Sequence, residues 1–183
     1  MSGQESTGHG FVPIDVQLRD RRHIILREVE QQDKDALHLA IKRLSSESRY
    51  ARFMSPLHEL SSELLDRAVN PDAGNEMQIV AVYGEGPQEI IVGGARYNAT
   101  PGSSHCEFAM AIIDDWQGLG LARQLLETLV NSARAHGFEQ MDGFILATNT
   151  GMLALAKKLG FVEIPSPEGP TVRLLRRDLG ITK

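Results

Sequence analysis

The 183-residue chain has one cysteine, Cys106, so it can close no internal disulfide, and it carries neither a C-x-x-C pair nor an H-E-x-x-H array. Disulfide-stapled scaffolds and the common zinc modules are thereby excluded, and a reducing cytoplasm is the expected setting. Six histidines, at 9, 23, 38, 58, 105 and 136, are dispersed without ligand spacing, so no metal is expected. Basic residues are in deficit: 19 Lys and Arg against 24 Asp and Glu give a formal charge of −5. No broad cationic surface is then available to a phosphate backbone, and nucleic acid is not an expected partner. Apolar runs stay short of the roughly 20 residues that span a bilayer, and Met1 to Gly10 is polar rather than signal-like. No membrane partner is expected either.

What remains is an ordinary globular composition, 42% apolar and 23% charged, at the length of one domain. Residues 1–10 lack apolar periodicity, and residues 1–20 read as a partly disordered N-terminal tail before a single domain over 21–183. The oligomeric state, monomer or homodimer, is left open.

Along that domain, Ile24 to Arg27 is a short β-prone run, and Asp33 precedes a helix with apolar positions at 36, 37, 40, 41 and 44. Ser45 and Ser46 suit the cap of a second short helix that Pro56 interrupts, and Ser61-Ser62-Glu63 opens a third. From Met77 the pattern turns to strands: 78–83 and 89–97 as a hairpin, then Cys106 to Ile113. A strongly amphipathic helix follows, with Leu121, Ala122, Leu125, Leu126, Leu129, Val130 and Ala133 on one face. A strand at 141–146, a helix over about 150–159 and strands near Val162 and 171–176 complete the order. The fold class is therefore mixed α/β, with an antiparallel meander leading into one strand-helix-strand crossover. Its ligand is expected where a strand end meets a helix N-terminus.

At that junction stands Gln117-Gly118-Leu119-Gly120-Leu121-Ala122-Arg123. Glycines let a backbone approach a ligand closely, and unpaired N–H groups at a helix start favour a phosphate or pyrophosphate. The Walker lysine and the third glycine of the dinucleotide fingerprint are missing. Gln117-x-x-Gly120-x-Ala122 resembles the Q/R-x-x-G-x-G/A signature of the GCN5-related N-acetyltransferases (GNAT). Asn149, followed by Lys158-Leu159-Gly160-Phe161, is similar to that family's downstream segment. The resemblance covers about residues 22–177. It implies a GNAT-type, mostly antiparallel central sheet flanked by helices, and acetyl-CoA as co-substrate. In such a fold the pyrophosphate rests on the backbone of Gln117, Gly118, Leu119, Gly120, Leu121, Ala122 and Arg123, and the pantetheine pairs with the strand ending at Ile112 and Ile113.

Three further stretches resemble the bacterial Pat-type protein-lysine acetyltransferases: Leu44 to Phe53, Cys106-Glu107-Phe108-Ala109, and Asp114 to Gly118. Such enzymes often carry a second, regulatory or acyl-CoA-synthetase-like domain, and these 183 residues correspond to the transferase part alone. The resemblance implies a protein lysine as acceptor, an acyl-CoA synthetase being one possible target.

A lysine amine is free base in only about one molecule in 2,500 at pH 7, so its acetylation gains from a base. Glu107 is the candidate catalytic residue. Alternation puts it on one face with Ala109 and Ala111, where partial desolvation would raise its pKa, and it matches the glutamate of the Pat-type resemblance. A backbone N–H near Ile112 or Ile113 would stabilise the oxyanion. Cys106 points to the opposite face and reads as a core residue rather than a nucleophile.

Many family members carry a tyrosine acid seven residues after the asparagine; Ala156 stands there, so the general acid is unassigned. Asn149 is either a pantetheine contact or a plain N-cap. Arg49 and Arg52 either touch an acidic rim on a protein substrate or are simply solvated. Trp116 is expected under the phosphate loop, and Arg173, Arg176 and Arg177 read as an edge-strand pattern. Two rivals to lysine acetylation stay open: a small amine as acceptor, and a non-catalytic acyl-CoA-binding sensor or interaction domain.

Overall fold

The computed structural model describes residues 11–180. Strands β1 (Ile14–Gln17), β2 (His23–Glu28), β3 (Glu76–Tyr83), β4 (Ile90–Asn98), β5 (His105–Ile112), β6 (Gln140–Leu146), β7 (Val162–Ile164) and β8 (Val172–Asp178) form one sheet, in the order β1-β2-β3-β4-β5-β6-β8-β7. Every neighbouring pair is antiparallel except β5 and β6. The mixed, mostly antiparallel sheet read from the sequence is therefore the one observed.

Helices α1 (Lys34–Lys42), α2 (Ser46–Phe53) and α3 (Ser62–Ala68) lie between β2 and β3, α4 (Leu121–Ala135) links β5 to β6, and α5 (Thr150–Lys158) links β6 to β7. The apolar stripe of α4 is buried as its spacing requires, with Leu121, Leu125, Leu126, Leu129, Val130 and Ala133 all in the core. Central β3 is buried continuously over Ile79-Val80-Ala81-Val82, as a strand covered on both faces must be. Only the short strands β1 and β7 are left as edges, which limits the exposed hydrogen-bonding row.

Helix α1 is anchored through an ion pair just ahead of its first turn. The Asp33 side chain does not cap α1; it accepts from the Glu30 backbone N–H at 2.7 Å and takes the Arg27 guanidinium bidentately at 2.7 and 2.9 Å. Arg27 also reaches Glu89 at 2.8 Å. Burial alone would raise the Asp33 pKa, but the Arg27 and Glu30 hydrogen bonds outweigh it and hold the carboxyl below its usual range.

Two sequence expectations are corrected. The tail assigned to residues 1–20 ends too late: residues 1–10 lie outside the described residues, but Ile14–Gln17 pairs with His23–Leu26 as a sheet strand. Four residues with only Val16 buried carry too little periodicity to announce a strand. The C-terminal arginines are not on an edge, because β8 lies between β6 and β7. Arg176 instead holds Asp142 of β6 through two 2.7 Å hydrogen bonds, and Arg173 reaches Glu163 at 3.3 Å.

Candidate active site

Strands β5 and β6 pair only from His105↔Gln140 to Phe108↔Gly143, although β5 runs to Ile112 and β6 to Leu146. Beyond Phe108 the two strands part. The Phe108 ring marks the fork: it lies so close over Gly143 that a Cβ there would fall 2.1 Å from it, and it packs edge-on against Phe161 at 5.3 Å. Glycine at 143 is thus a packing requirement.

The parting leaves backbone groups of β5 without a strand partner. The Ile113 N–H donates to Val92 O at 2.9 Å, and strict alternation along β5 then turns the amides of Ala111 and Ala109 toward β4. Those of Met110 and Ile112 face the fork. Of the two amides offered for the oxyanion, Ile113 is therefore spent within the sheet and Ile112 remains, with Met110 as a second donor that the sequence reading missed. The Ile112 carbonyl, on the same side, accepts from the Gln117 side-chain amide at 3.0 Å.

At the head of α4 the loop offers an uninterrupted set of donors. The N–H groups of Gly118, Leu119, Gly120, Leu121, Ala122 and Arg123 have no acceptor among the described residues, and the first to find one is Gln124, which donates to Gly120 O at 3.3 Å. Two of these residues need glycine's freedom: Gly118 and Gly120 have φ of 74° and 93°, and a Cβ on Gly118 would point into open space. The carbonyls are turned away. Leu119 O accepts from the Arg19 N–H at 3.1 Å, and Gly118 O accepts from the Arg19 guanidinium at 3.3 Å. Arg19 lies in the β1–β2 turn, inside the stretch read as tail, and no sequence signal linked it to a loop a hundred residues away.

Side chains of the loop are occupied otherwise. Leu121 is in the core, and Arg123 pairs with Glu127 along the outside of α4 at 3.0 Å. Gln117 also donates to Ser48 Oγ at 3.1 Å, and Asp114 accepts from the Ser45 N–H at 3.0 Å and the Ser48 hydroxyl at 3.2 Å. Those bonds tie α2 to the loop. Trp116 is buried against Tyr83, ring centres 4.8 Å apart, with the Arg22 guanidinium 3.6 Å above it.

Glu107 stands one residue before the fork, in a polar row that crosses the sheet: Asn98 on β4, Glu107 on β5, Asp142 on β6 and Arg176 on β8. Desolvation first, and then the Asp142 carboxylate beside it and Glu168, raise its pKa; Arg96 and Arg52 oppose them, and the net direction is up. Asp142 was absent from the sequence reading, because only strand pairing brings it beside Glu107. Burial and the same Asp142 push the Cys106 thiol up to about 12, and its Sγ lies 3.7 Å from Gln140 O. Cys106 is a core thiol.

On the face that carries Glu107, Ala109 and Ala111, a cavity of about 420 Å³ opens beneath α1, α2 and α3. Its walls are aliphatic, with Leu37, Ile41 and Leu57 among them, and its polar side chains include Arg52, Arg96 and Gln78. Arg49 does not reach it: its guanidinium donates to His58 O and Leu44 O, both at 2.8 Å, and so fixes the chain after α2. Asn149 caps α5 by accepting from the Met152 N–H at 3.2 Å. Ala156 is fully buried, so no acid is supplied from that position.

A strand fork beside a run of free amides at a helix start, with a carboxylate at the fork, suits an extended ligand that carries a phosphate or diphosphate. A family model described as an acetyltransferase (GNAT) domain matches residues 23–162. The chain is 37% identical over 154 residues to acetyltransferase PA5475 of Pseudomonas aeruginosa, covering 84% of this chain and 83% of that one. It is 28% identical over 176 residues to acetyltransferase Pat of Mycolicibacterium smegmatis, covering 93% of this chain and 47% of Pat, so it spans about half the length of that relative. The GNAT domain of S. lividans PAT superposes with a TM-score of 0.83 at 27% identity, over 91% of this chain and 96% of that domain. The fold is also that of yncA from Salmonella typhimurium, solved with acetyl-CoA, at a TM-score of 0.70 and 18% identity over 86% and 95% of the two chains. The chain belongs to the GNAT family and is an acetyl-CoA-dependent N-acetyltransferase. Among the described residues no helix is long and apolar enough to cross a membrane, and no cluster of His, Cys, Asp or Glu is suited to a metal ion.

Proposed function

We propose that the enzyme acetylates a lysine side chain of a protein, with Glu107 as general base and the 118–123 amides as the seat of the coenzyme pyrophosphate. The observation that carries this reading is the position of Glu107, a carboxylate of raised pKa at the β5–β6 fork, on the face of β5 whose next residues, Ala109 and Ala111, line an aliphatic cavity. Four methylenes of a lysine match such walls, and similarity to the Pat proteins supports the same acceptor. The six free amides suit the diphosphate: they are consecutive donors at a helix start, and the carbonyls of Gly118 and Leu119 are occupied by Arg19. The fork suits the pantetheine, whose amides would bond the strand edge at Met110 and leave the Ile112 N–H to the thioester carbonyl.

The coenzyme supplies an activated acetyl thioester. Glu107 takes one proton from the lysine ammonium, and the freed amine attacks the thioester carbonyl carbon. The carbonyl oxygen becomes an oxyanion against the Ile112 N–H. Collapse breaks the C–S bond and releases a thiolate, a stable leaving group that takes its proton from solvent or from the amine as the amide forms. No covalent enzyme intermediate is needed, consistent with a Cys106 thiol that burial keeps protonated.

Incubating the protein with isotopically labelled acetyl-CoA and cell lysate, and then locating the label by mass spectrometry, tests the acceptor. Label on protein lysines is expected. Label confined to small metabolites would transfer the reading to a small amine, and no label at all would contradict catalysis.

A further inference from the structure

The cavity holds two cations that acetyl transfer to a simple amine does not need. Arg52, in the last turn of α2, and Arg96, directly opposite Ala109 on β4, both line it. The Arg52 guanidinium makes no hydrogen bond or ion pair with any described residue; it lies 4.7 Å over the Phe53 ring, and the anion nearest in effect is Glu107, through space. Arg96 makes one long contact, 3.4 Å to Glu76. Burial, together with Arg96, pushes the Arg52 pKa down to about 10. The C-terminal dipole of α2 and the aromatic face make the cation tolerable, but the Arg52 guanidinium, in an aliphatic chamber beside an Arg96 that is only loosely paired with Glu76, still lacks the anion that desolvated charge calls for.

The chemistry that fits them is a carboxylate, because a planar guanidinium offers two parallel N–H donors to its two oxygens. A polycationic acceptor would instead be repelled. We propose that the cavity seats a carboxylate belonging to the acceptor itself, held by Arg52 and Arg96 while the amine of the same molecule faces Glu107. The orientation of the amine rests on the reading of Glu107 given above; the seat itself does not. Two sources share this chemistry: the α-carboxylate of a free amino acid, and an acidic residue next to the target lysine of a protein.

Calorimetry on the coenzyme A-loaded protein with carboxylate and amide pairs tests it without turnover. One pair is N-acetyl-leucine and N-acetyl-leucinamide; the other is the peptide acetyl-Ala-Lys-Glu-amide and its Gln counterpart. In one pair at least, the carboxylate member is expected to bind about tenfold tighter. A preference in the leucine pair assigns the free amino acid, and a preference in the peptide pair assigns the acidic neighbour. Arg52→Met, which keeps the apolar stem, should bring the ratio to about one, and Arg96→Met should lower it. Equal or undetectable binding of both members in both pairs would overturn the proposal, as would a ratio that survives Arg52→Met. Glu107→Gln should keep the ratio while losing turnover. A fully active Glu107→Gln would remove the base and leave the seat standing.

Discussion

The loop at the head of α4 and the cavity beneath α1, α2 and α3 are built in opposite ways. The loop works with backbone. Its six free amides come from consecutive residues, so a short stretch with glycine at 118 and 120 suffices to specify it. The cavity works with side chains from six elements, α1, α2, α3, β3, β4 and β5, and the charges around it meet only when the sheet forms. A backbone site tolerates changes of side chain and fails when its conformation is lost; a side-chain site does the reverse.

The largest effect is expected at the loop. Gly120→Glu brings a carboxylate toward the diphosphate and forces a side chain onto φ 93°, and acetyl-CoA affinity measured by calorimetry should fall by about a hundredfold or more. Unchanged affinity in a folded variant would dissolve the contrast, because the backbone would not be the binding element. Next comes Glu107→Gln, which should lower kcat by about 10²–10⁴ and leave the KM for acetyl-CoA within about twofold. In the wild type, activity should rise with pH as Glu107 ionises, above the range of an ordinary glutamate, because desolvation and Asp142 raise its pKa. That limb should vanish in the variant. A carboxylate raised in the folded state costs stability once ionised, so Glu107→Gln should unfold no earlier than the wild type at neutral pH.

The third test loosens the cavity wall alone. Asp33→Ala leaves Arg27 without its bidentate partner, both side chains being well buried at 15% and 7% exposure, and should cost about 3 kcal/mol in denaturant unfolding. Because α1 carries Leu37 and Ile41 into the cavity, the acceptor KM should rise while acetyl-CoA affinity holds. The Asp33 pKa is depressed in the folded protein, so its contribution is full above the unfolded carboxylate value of about 4 and is lost as pH falls through the folded one. Melting temperature followed from pH 7 downward in wild type and variant should converge in acid; parallel curves would remove Asp33 from the account. The smallest effect is expected from Asp142→Asn. Removing the neighbouring anion lowers the Glu107 pKa, so the acid limb of the pH–rate profile should move to lower pH, with the plateau within about twofold of wild type. An upward shift would mean that Arg176, released from Asp142, does not turn toward Glu107 and that another charge governs the base.

How much of this could be read from residues alone follows the same division. The α4 stripe, the β3–β4–β5 meander and the Gln117–Ala122 signature are local periodicities or contiguous motifs, and they appear in the structure where their spacing put them. Glu107 could be singled out as a carboxylate in an apolar strand. Its modifiers Asp142, Arg96 and Arg52 could not, since their separations in sequence say nothing of their adjacency in the sheet. Ile113 looked as suitable as Ile112 for the oxyanion until the phase of the β4–β5 hydrogen bonds was fixed. Arg49 and Arg52 read as a matched pair, three residues apart, yet one braces the chain after α2 and the other faces the cavity.

The sequence by itself determined the loop at α4, whose conformation follows from glycine and apolar period in neighbouring residues, and its contiguous motifs carried the resemblance that implied the family and the coenzyme. Tertiary structure alone decided which amides face the fork, what surrounds Glu107, that Arg19 turns the loop carbonyls aside, and that two arginines share one apolar chamber. Those properties arise from the register of strands and the packing of helices across the sheet, and long-range pairing is a sum over many weak contacts that no single stretch of residues encodes.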